Sequence, residues 1–329
     1  MSTLHENSDH AVIVNPKAVG TRGGALERIA EVVAPDSVYL ADDSTYDEVV
    51  STVVERGYRT VFTAGGDGTA NRFINALTKR GSSARIGVLP MGARNGLADV
   101  VSTGDAMADL RSYVQNPSAD IHHLPLCEAE GIRFSFAGLG LDASALEDYD
   151  RLKRTIARGP LRGLQGPSGY AAAIVAMTLP RRLFRRKLQV RIVNTGGNAY
   201  TIKRGPRGAV MDRTIRTGEV LYEGPVNAAL MGTCPSFGHR YQLLPYAGLE
   251  PSRFHLRVSN VAPTRLLLGL RSLRKGTISH KELRDFMVEA VSLEFSEPVA
   301  YQLAGEMMGQ RQRLTVSMAQ DSVDLVRFL

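Results

Sequence analysis

The chain has 329 residues, of which 43% are hydrophobic, a content that fits a globular protein and a length that points to two domains rather than one ordinary core. Its net charge of +7 directs it towards anionic partners: nucleotides, nucleic acid or acidic lipid surfaces. Its two cysteines, Cys127 and Cys234, are far apart and form no C-x-x-C pair, which excludes a zinc ribbon and a disulfide scaffold and fits a reducing cytosol.

Residues 1–9 are polar and carry no apolar signal-peptide core. The longest apolar run, 170–179, stops at Pro180, short of a membrane span. These features imply a cytoplasmic protein that visits a membrane surface without crossing it.

The run Ala11-Val12-Ile13-Val14 predicts a buried first strand, ended by Asn15-Pro16-Lys17. Helical spacing follows over 24–33, then a short strand at 37–40 and a helix over 46–55 that stops at Gly57. A β-rich run at 60–63 leads into Gly65-Gly66-Asp67-Gly68-Thr69, and a helix over 72–79 puts Phe73, Ile74 and Leu77 on one face. A strand that breaks at glycines and restarts as a helix is the layout of a phosphate site. Gly65, Gly66 and Gly68 permit positive φ and close approach to a ligand, and a helix starting after Thr69 aims N–H groups at an anion. Asp67 is the odd residue. A carboxylate beside phosphates is repelled unless a metal or a proton lies between; the alternative is a tight βα turn with Asp67 as N-cap.

Another strand at 86–90 leads into Met91-Gly92-Ala93-Arg94-Asn95-Gly96. Strands alternating with helices imply a parallel sheet covered on both faces. The loops at 15–20, 65–69 and 90–96 each follow a strand, so they are expected to share one rim, where ligands of such sheets bind.

The alternation stops near 120–126. Residues 1–125 therefore read as an α/β nucleotide-binding domain and 126–329 as a β-rich substrate domain, with a last strand, about 320–329, that can return to the first domain. The alternating run 132–137 is broken by Gly138-Leu139-Gly140-Leu141-Asp142-Ala143. Residues 148–186 read as two helical pieces around 159–169, with dense Arg and Lys runs before and after 170–179 that suit anionic headgroups. Short strands at 188–193, 220–222, 226–231 and 253–258, separated by Gly and Pro, indicate a sandwich or barrel. A basic amphipathic helix spans 264–274 with Leu266, Leu267, Leu270 and Leu273 on its apolar side; His280 reads as structural, and 314–318 and 323–328 are final strands.

Three segments in this order, Gly65 to Thr69, Leu89-Pro90-x-Gly92 with Asn95 and Ala98, and Gly138-x-Gly140-x-Asp142-Ala143, together with Asn15-Pro16 and Glu306, resemble the diacylglycerol kinase catalytic-domain family. That family includes bacterial lipid kinases and sphingosine kinases and is distantly related to NAD kinases and 6-phosphofructokinases. The likeness runs over nearly the whole chain. It implies a Rossmann-like α/β domain and a mostly β, sandwich-like second domain, with the nucleotide in the cleft between them. It also implies an ATP- and Mg2+-dependent kinase acting on the hydroxyl of diacylglycerol or a related lipid alcohol. By this resemblance Asn15, Pro16, Lys17, Gly65, Gly66, Gly68, Thr69, Gly92, Arg94 and Asn95 surround the nucleotide. Asp67 stands on the metal side and shares the catalysis with Glu306, the base, while Asp142 faces the lipid headgroup.

The chain departs from the family pattern at Ala93 and Gly96, where threonine and aspartate are usual, and at Pro251-Ser252 and Ala304, where acidic residues are usual. Arg94 either pairs with a phosphate or crowds the usual ATP pose, and the choice of Lys17, Arg22 or Arg94 to offset phosphate charge stays open. These departures motivate a second reading, a non-catalytic nucleotide- or lipid-binding protein; the shared Gly-Gly-Asp-Gly motivates a third, an NAD-kinase-like enzyme. No Walker A run, no protein-kinase motif set and no nucleic-acid module occurs. A homodimer is compatible with the reading.

Overall fold

The structure is a computed structural model and describes residues 9–21, 23–117, 120–156, 188–205, 208–238 and 240–329. Arg22 and the basic runs within 157–187 lie outside the described residues, as does the segment around Gly169. The chain divides into two compact units, Met1–Leu124 with Ser322–Leu329, and Pro125–Asp321.

The first unit carries strands β1 (His10–Val14), β2 (Val38–Leu40), β3 (Thr60–Gly65), β4 (Arg85–Pro90) and β5 (Asp120–Leu124). Its helices are α1 (Ala25–Ala30), α2 (Tyr46–Glu55), α3 (Asp67–Lys79), α4 (Ala98–Val101) and α5 (Ala106–Gln115). The sheet runs β2-β1-β3-β4, then the C-terminal strand Val323–Arg327, then β5. Every neighbouring pair is parallel up to the C-terminal strand, which runs parallel to β4 and antiparallel to β5. Residues of β3 are buried throughout, as a strand covered on both faces must be. Because β1, β3 and β4 are adjacent and parallel, the loops after them leave the sheet at one edge.

The second unit holds β6 (Cys127–Ala129), β7 (Ile132–Phe134), β8 (Phe136–Gly140), α6 (Leu141–Ile156), β9 (Gln189–Asn194), β10 (Ala199–Gly205), β11 (Gly208–Ile215) and β12 (Val220–Pro225). It continues with β13 (Ala228–Gly232), β14 (Phe254–Ser259), α7 (Pro263–Leu268), α8 (Leu270–Arg274), β15 (Leu283–Val288), β16 (Ala290–Leu303) and β17 (Glu306–Met318). These strands form one antiparallel sheet in which the long β16 pairs with β17 on one side and with β8 and β9 on the other. Phe134, Ile192, Phe254, Val288, Leu293 and Tyr301 lie in its core. The expected α/β domain and β-rich domain are thus both present.

Local differences from the expected elements occur at three places. The run expected as one strand at 132–137 splits at Ser135. Gly138 and Gly140 stay within β8, where Gly138 pairs with Leu230 and Gly140 with Ala228. Helix α3 begins at Asp67, ahead of Thr69, so Gly66 is its N-cap and Asp67 its first residue. The helix expected over 264–274 is interrupted at Gly269.

One polar group is buried against β14. His255 is fully buried and donates from Nε2 to Asp285 Oδ1 at 2.8 Å. Arg257 donates to the same carboxylate from Nε at 2.7 Å and from a terminal nitrogen at 3.2 Å, and to the Leu243 carbonyl at 2.8 Å. The group ties the chain around Leu243 to the sheet.

Candidate functional site

The three loops of the first unit interlock. The Asn15 N–H donates to the Ala64 carbonyl at 3.0 Å, Met91 to Gly65 at 3.0 Å, and Gly20 to Met91 at 2.8 Å. The Asn15 side chain donates to Thr69 Oγ1 at 2.9 Å and accepts the Lys17 N–H at 2.9 Å. Asn95 closes its own loop, donating to the Gly92 carbonyl and accepting the Gly92 N–H, both at 3.0 Å.

Gly66 and Gly92 are needed where two backbones cross, and Gly65 where the Thr69 side chain packs. Gly65, Gly66, Gly68 and Gly92 are absent from the positive-φ positions, and Gly66 sits at φ −102°. The expected left-handed turn is therefore not their role. A Cβ on Gly65 would lie 2.7 Å from the Thr69 side chain, and one on Gly92 would lie 2.2 Å from the Gly66 Cα. What comes close to these glycines is the neighbouring chain.

Asp67 is the centre of the arrangement. Its Oδ2 accepts the Gly96 N–H and its Oδ1 the Leu97 N–H, each at 2.8 Å, and its own N–H donates to the Arg94 carbonyl at 3.3 Å. Burial pushes the Asp67 carboxyl above its ordinary range, while the Leu97 and Gly96 N–H groups and the Arg94 charge pull the other way. Within the protein, both oxygens of this carboxylate are met by backbone N–H groups. Among the described residues no three His, Cys, Asp or Glu side chains gather as a metal cage.

Gly68 and Thr69 fall in the first turn of α3, whose N–H groups lack intrahelical acceptors and, with the helix dipole, favour an anion. Lys17 is exposed and reaches Asp43 Oδ2 at 2.7 Å, and Arg72 reaches the other oxygen of Asp43 at 3.0 Å. Arg72 also lies 3.7 Å over the Tyr46 ring. Asp43 thus holds both cations at the rim, a role no motif or spacing revealed. Pro16 is exposed beside them.

In the second unit, Asp142 stands in the first turn of α6 and accepts from Gln302 Nε2 at 2.8 Å. The other end of the same amide, Gln302 Oε1, accepts the Gly305 N–H at 2.8 Å. Gln302 is buried, and Gly138 makes room for it: a Cβ there would lie 2.5 Å from the Asp142 carboxylate. Ala304 and Gly305 both have positive φ, 46° and 83°, and close the two-residue turn between β16 and β17. Glu306 follows at once and is exposed. Near the Pro251-Ser252 departure an acid does occur, but Glu250 Oε1 accepts from the Ser252 hydroxyl at 3.1 Å. Sequence reasoning missed Gln302, because a glutamine in a strand carries no periodic signal.

Parallel strands whose loops lock together around a helix start are the layout in which α/β proteins commonly bind phosphate groups. The family model of the diacylglycerol kinase catalytic domain matches residues 9–124, all within the first unit. A crystal structure of a diacylglycerol kinase from Bacillus anthracis str. Sterne is similar with TM-score 0.61 and 12% identity, over 97% of this chain and 96% of that one. Another structure from the same organism, of a candidate diacylglycerol kinase, gives TM-score 0.66 and 13% identity over 97% and 96%. An NAD kinase from Archaeoglobus fulgidus in complex with ATP gives TM-score 0.47 and 13% identity over 97% and 93%. No curated protein matches the chain.

Proposed function

We propose that the protein is an ATP-dependent lipid kinase that phosphorylates the hydroxyl of diacylglycerol or a related lipid alcohol. The observation that supports this most is the interlocked rim itself: the start of α3, the Asn15 loop and the Gly92–Asn95 loop, all within the matched domain. In this reading the N–H groups of Gly68 and Thr69 receive phosphate oxygens. Asn15, Pro16, Gly65, Gly66, Gly92 and Asn95 shape the floor, and Lys17 and Arg94 offset charge. Asp67 acts by holding the Gly96–Leu97 backbone in place. Magnesium would come with ATP and neutralise the phosphates as the bond breaks. A lipid hydroxyl ionises far above neutral pH and needs a carboxylate to take its proton. Glu306 is the proposed base, and Asp142, oriented by Gln302, the proposed headgroup contact. The protein would work in the cytoplasm at an anionic membrane surface.

The test is transfer of labelled γ-phosphate to a panel of lipid alcohols. Wild-type protein is expected to label at least one, and Glu306→Gln to lower kcat by about 10²–10⁴-fold while ATP still raises Tm. Absence of labelled product from every alcohol sinks the kinase reading. The engaged Asp67 and the acid-free turn at Ala304 favour a second reading, a nucleotide-binding protein without turnover; it expects ATP to raise Tm and not be consumed.

A further inference from the structure

Between Glu250 and Glu282 the chain has no acidic residue. Within that stretch Arg265, Arg271, Arg274 and Lys275, on or next to α7 and α8, are all exposed, and among the described residues none of them pairs with a carboxylate. Leu268 stands in their midst. It is 89% exposed, more than any other large hydrophobic side chain among the described residues, and Leu270 beside it is 36% exposed.

This display is built into the fold. Leu266 packs inward against the cluster of Phe136, Leu230, Phe237 and Leu244. The hydrogen-bond ladder passes through the break, with Gly269 donating to the Arg265 carbonyl and Leu273 to the Gly269 carbonyl, both at 2.9 Å. The turn after α8 is anchored to β10 by Arg204, which donates to Gly276 at 2.6 Å and Thr277 at 2.9 Å. Arg265, Leu268 and Arg271 are spaced three apart, so they share one stripe of the helical surface, opposite the face that Leu266 buries.

An exposed leucine among mutually repelling cations is unfavourable in water on two counts. Nucleic acid would answer the charges and leave the leucine wet. The interface of an anionic bilayer answers both: phosphates meet the cations while the leucine enters the acyl boundary. The geometry points to α7 and α8 as a docking surface for an anionic phospholipid bilayer, with Leu268 entering it and Arg271, Arg274 and Lys275 on its phosphates. This deepens the proposed lipid-kinase reading by naming the element that meets the lipid. Vesicle binding needs neither nucleotide nor turnover, so the two ideas fail separately.

The full chain is mixed with phosphatidylcholine vesicles and with vesicles that also contain phosphatidylglycerol, and sedimented. Binding is expected only with phosphatidylglycerol and is expected to weaken with salt. The triple variant Arg271→Gln, Arg274→Gln, Lys275→Gln is expected to bind about 100-fold more weakly, roughly fivefold per cation. Leu268→Ser is expected to bind about tenfold more weakly. Both leave Tm unchanged, since all four side chains are exposed. Cys127 and Cys234 are buried, so in Leu268→Cys an environment-sensitive thiol label goes to the new position and its emission should shift to the blue on the acidic vesicles. The idea is overturned if wild-type protein ignores acidic vesicles, as an acidic-protein site would, if both variants bind like wild type, or if the label stays in water.

Discussion

At the scale of single residues, the decisive group is Asp67. It is a buried carboxylate whose two oxygens are used by Gly96 and Leu97, and its charge is disfavoured by burial. Asparagine would remove the charge yet turn an NH2 donor towards one of two N–H donors. The loss of an acceptor outweighs the relief, and Asp67→Asn is expected to lower stability by about 1–3 kcal/mol, read as a drop in Tm. A variant as stable as wild type would mean that the clamp is not what Asp67 is for. Gly92 is subject to a harder limit. A Cβ 2.2 Å from Gly66 forces two backbones apart, so Gly92→Ala is expected to destabilise by about 1–3 kcal/mol and to diminish the rise in Tm caused by ATP.

At the scale of elements, Gln302 couples two pieces of structure that are distant in sequence. One buried amide holds the Asp142 carboxylate at the start of α6 and the Gly305 N–H in the turn that carries Glu306. Gln302→Leu keeps the apolar bulk and deprives both partners. It is expected to lower stability by about 1–3 kcal/mol through the two buried hydrogen bonds removed, measured by urea unfolding. Gln302→Glu still accepts from Gly305 but faces Asp142 with a like charge, so its loss of stability relative to wild type is expected to be larger at neutral pH than in acid. An equal loss at both pH values would show that the amide does not bridge the two.

At the scale of the whole molecule, the buried group of His255, Arg257 and Asp285 makes stability depend on pH. Burial pushes Asp285 up, but the His255 hydrogen bond and the Arg257 charge outweigh it and hold the carboxyl well below its ordinary 3.8. Its stabilisation is therefore complete above that value and is lost as pH falls below it towards the folded pKa. Burial dominates at His255 and lowers it from 6.5, against the pull of Asp285. The unfolded chain then takes up that proton first, so acidification through 6.5 already destabilises the fold. Tm is expected to fall between neutral pH and pH about 5, and less so in His255→Asn. Asp285→Asn leaves Arg257 buried without its counter-charge and is expected to destabilise by about 3–5 kcal/mol at neutral pH. A loss below about 1 kcal/mol would show that the pair behaves as a surface one.

Much was legible along the chain because it is local. The helix over 46–55 was read to its ends, since the valines at 49, 50 and 53 repeat at helical spacing and Gly57 stops it. The two fold classes followed from where strand–helix alternation gives way to short strands, and the break between strand and helix at the glycines followed from composition. Which partner each group meets was decided only in three dimensions. Asp67 reads as an anion needing a cation until Gly96 and Leu97, about thirty residues on, bring N–H groups to it. Gln302 has no role until Asp142 lies beside it. Gly65 and Gly66 read as sources of positive φ until the Thr69 side chain and the Gly92 backbone close over them. Periodicity and turn chemistry are properties of adjacent residues, so they survive in a one-dimensional string. Hydrogen-bond partners, burial and the pKa shifts they cause belong to residues far apart in sequence, and packing alone selects them.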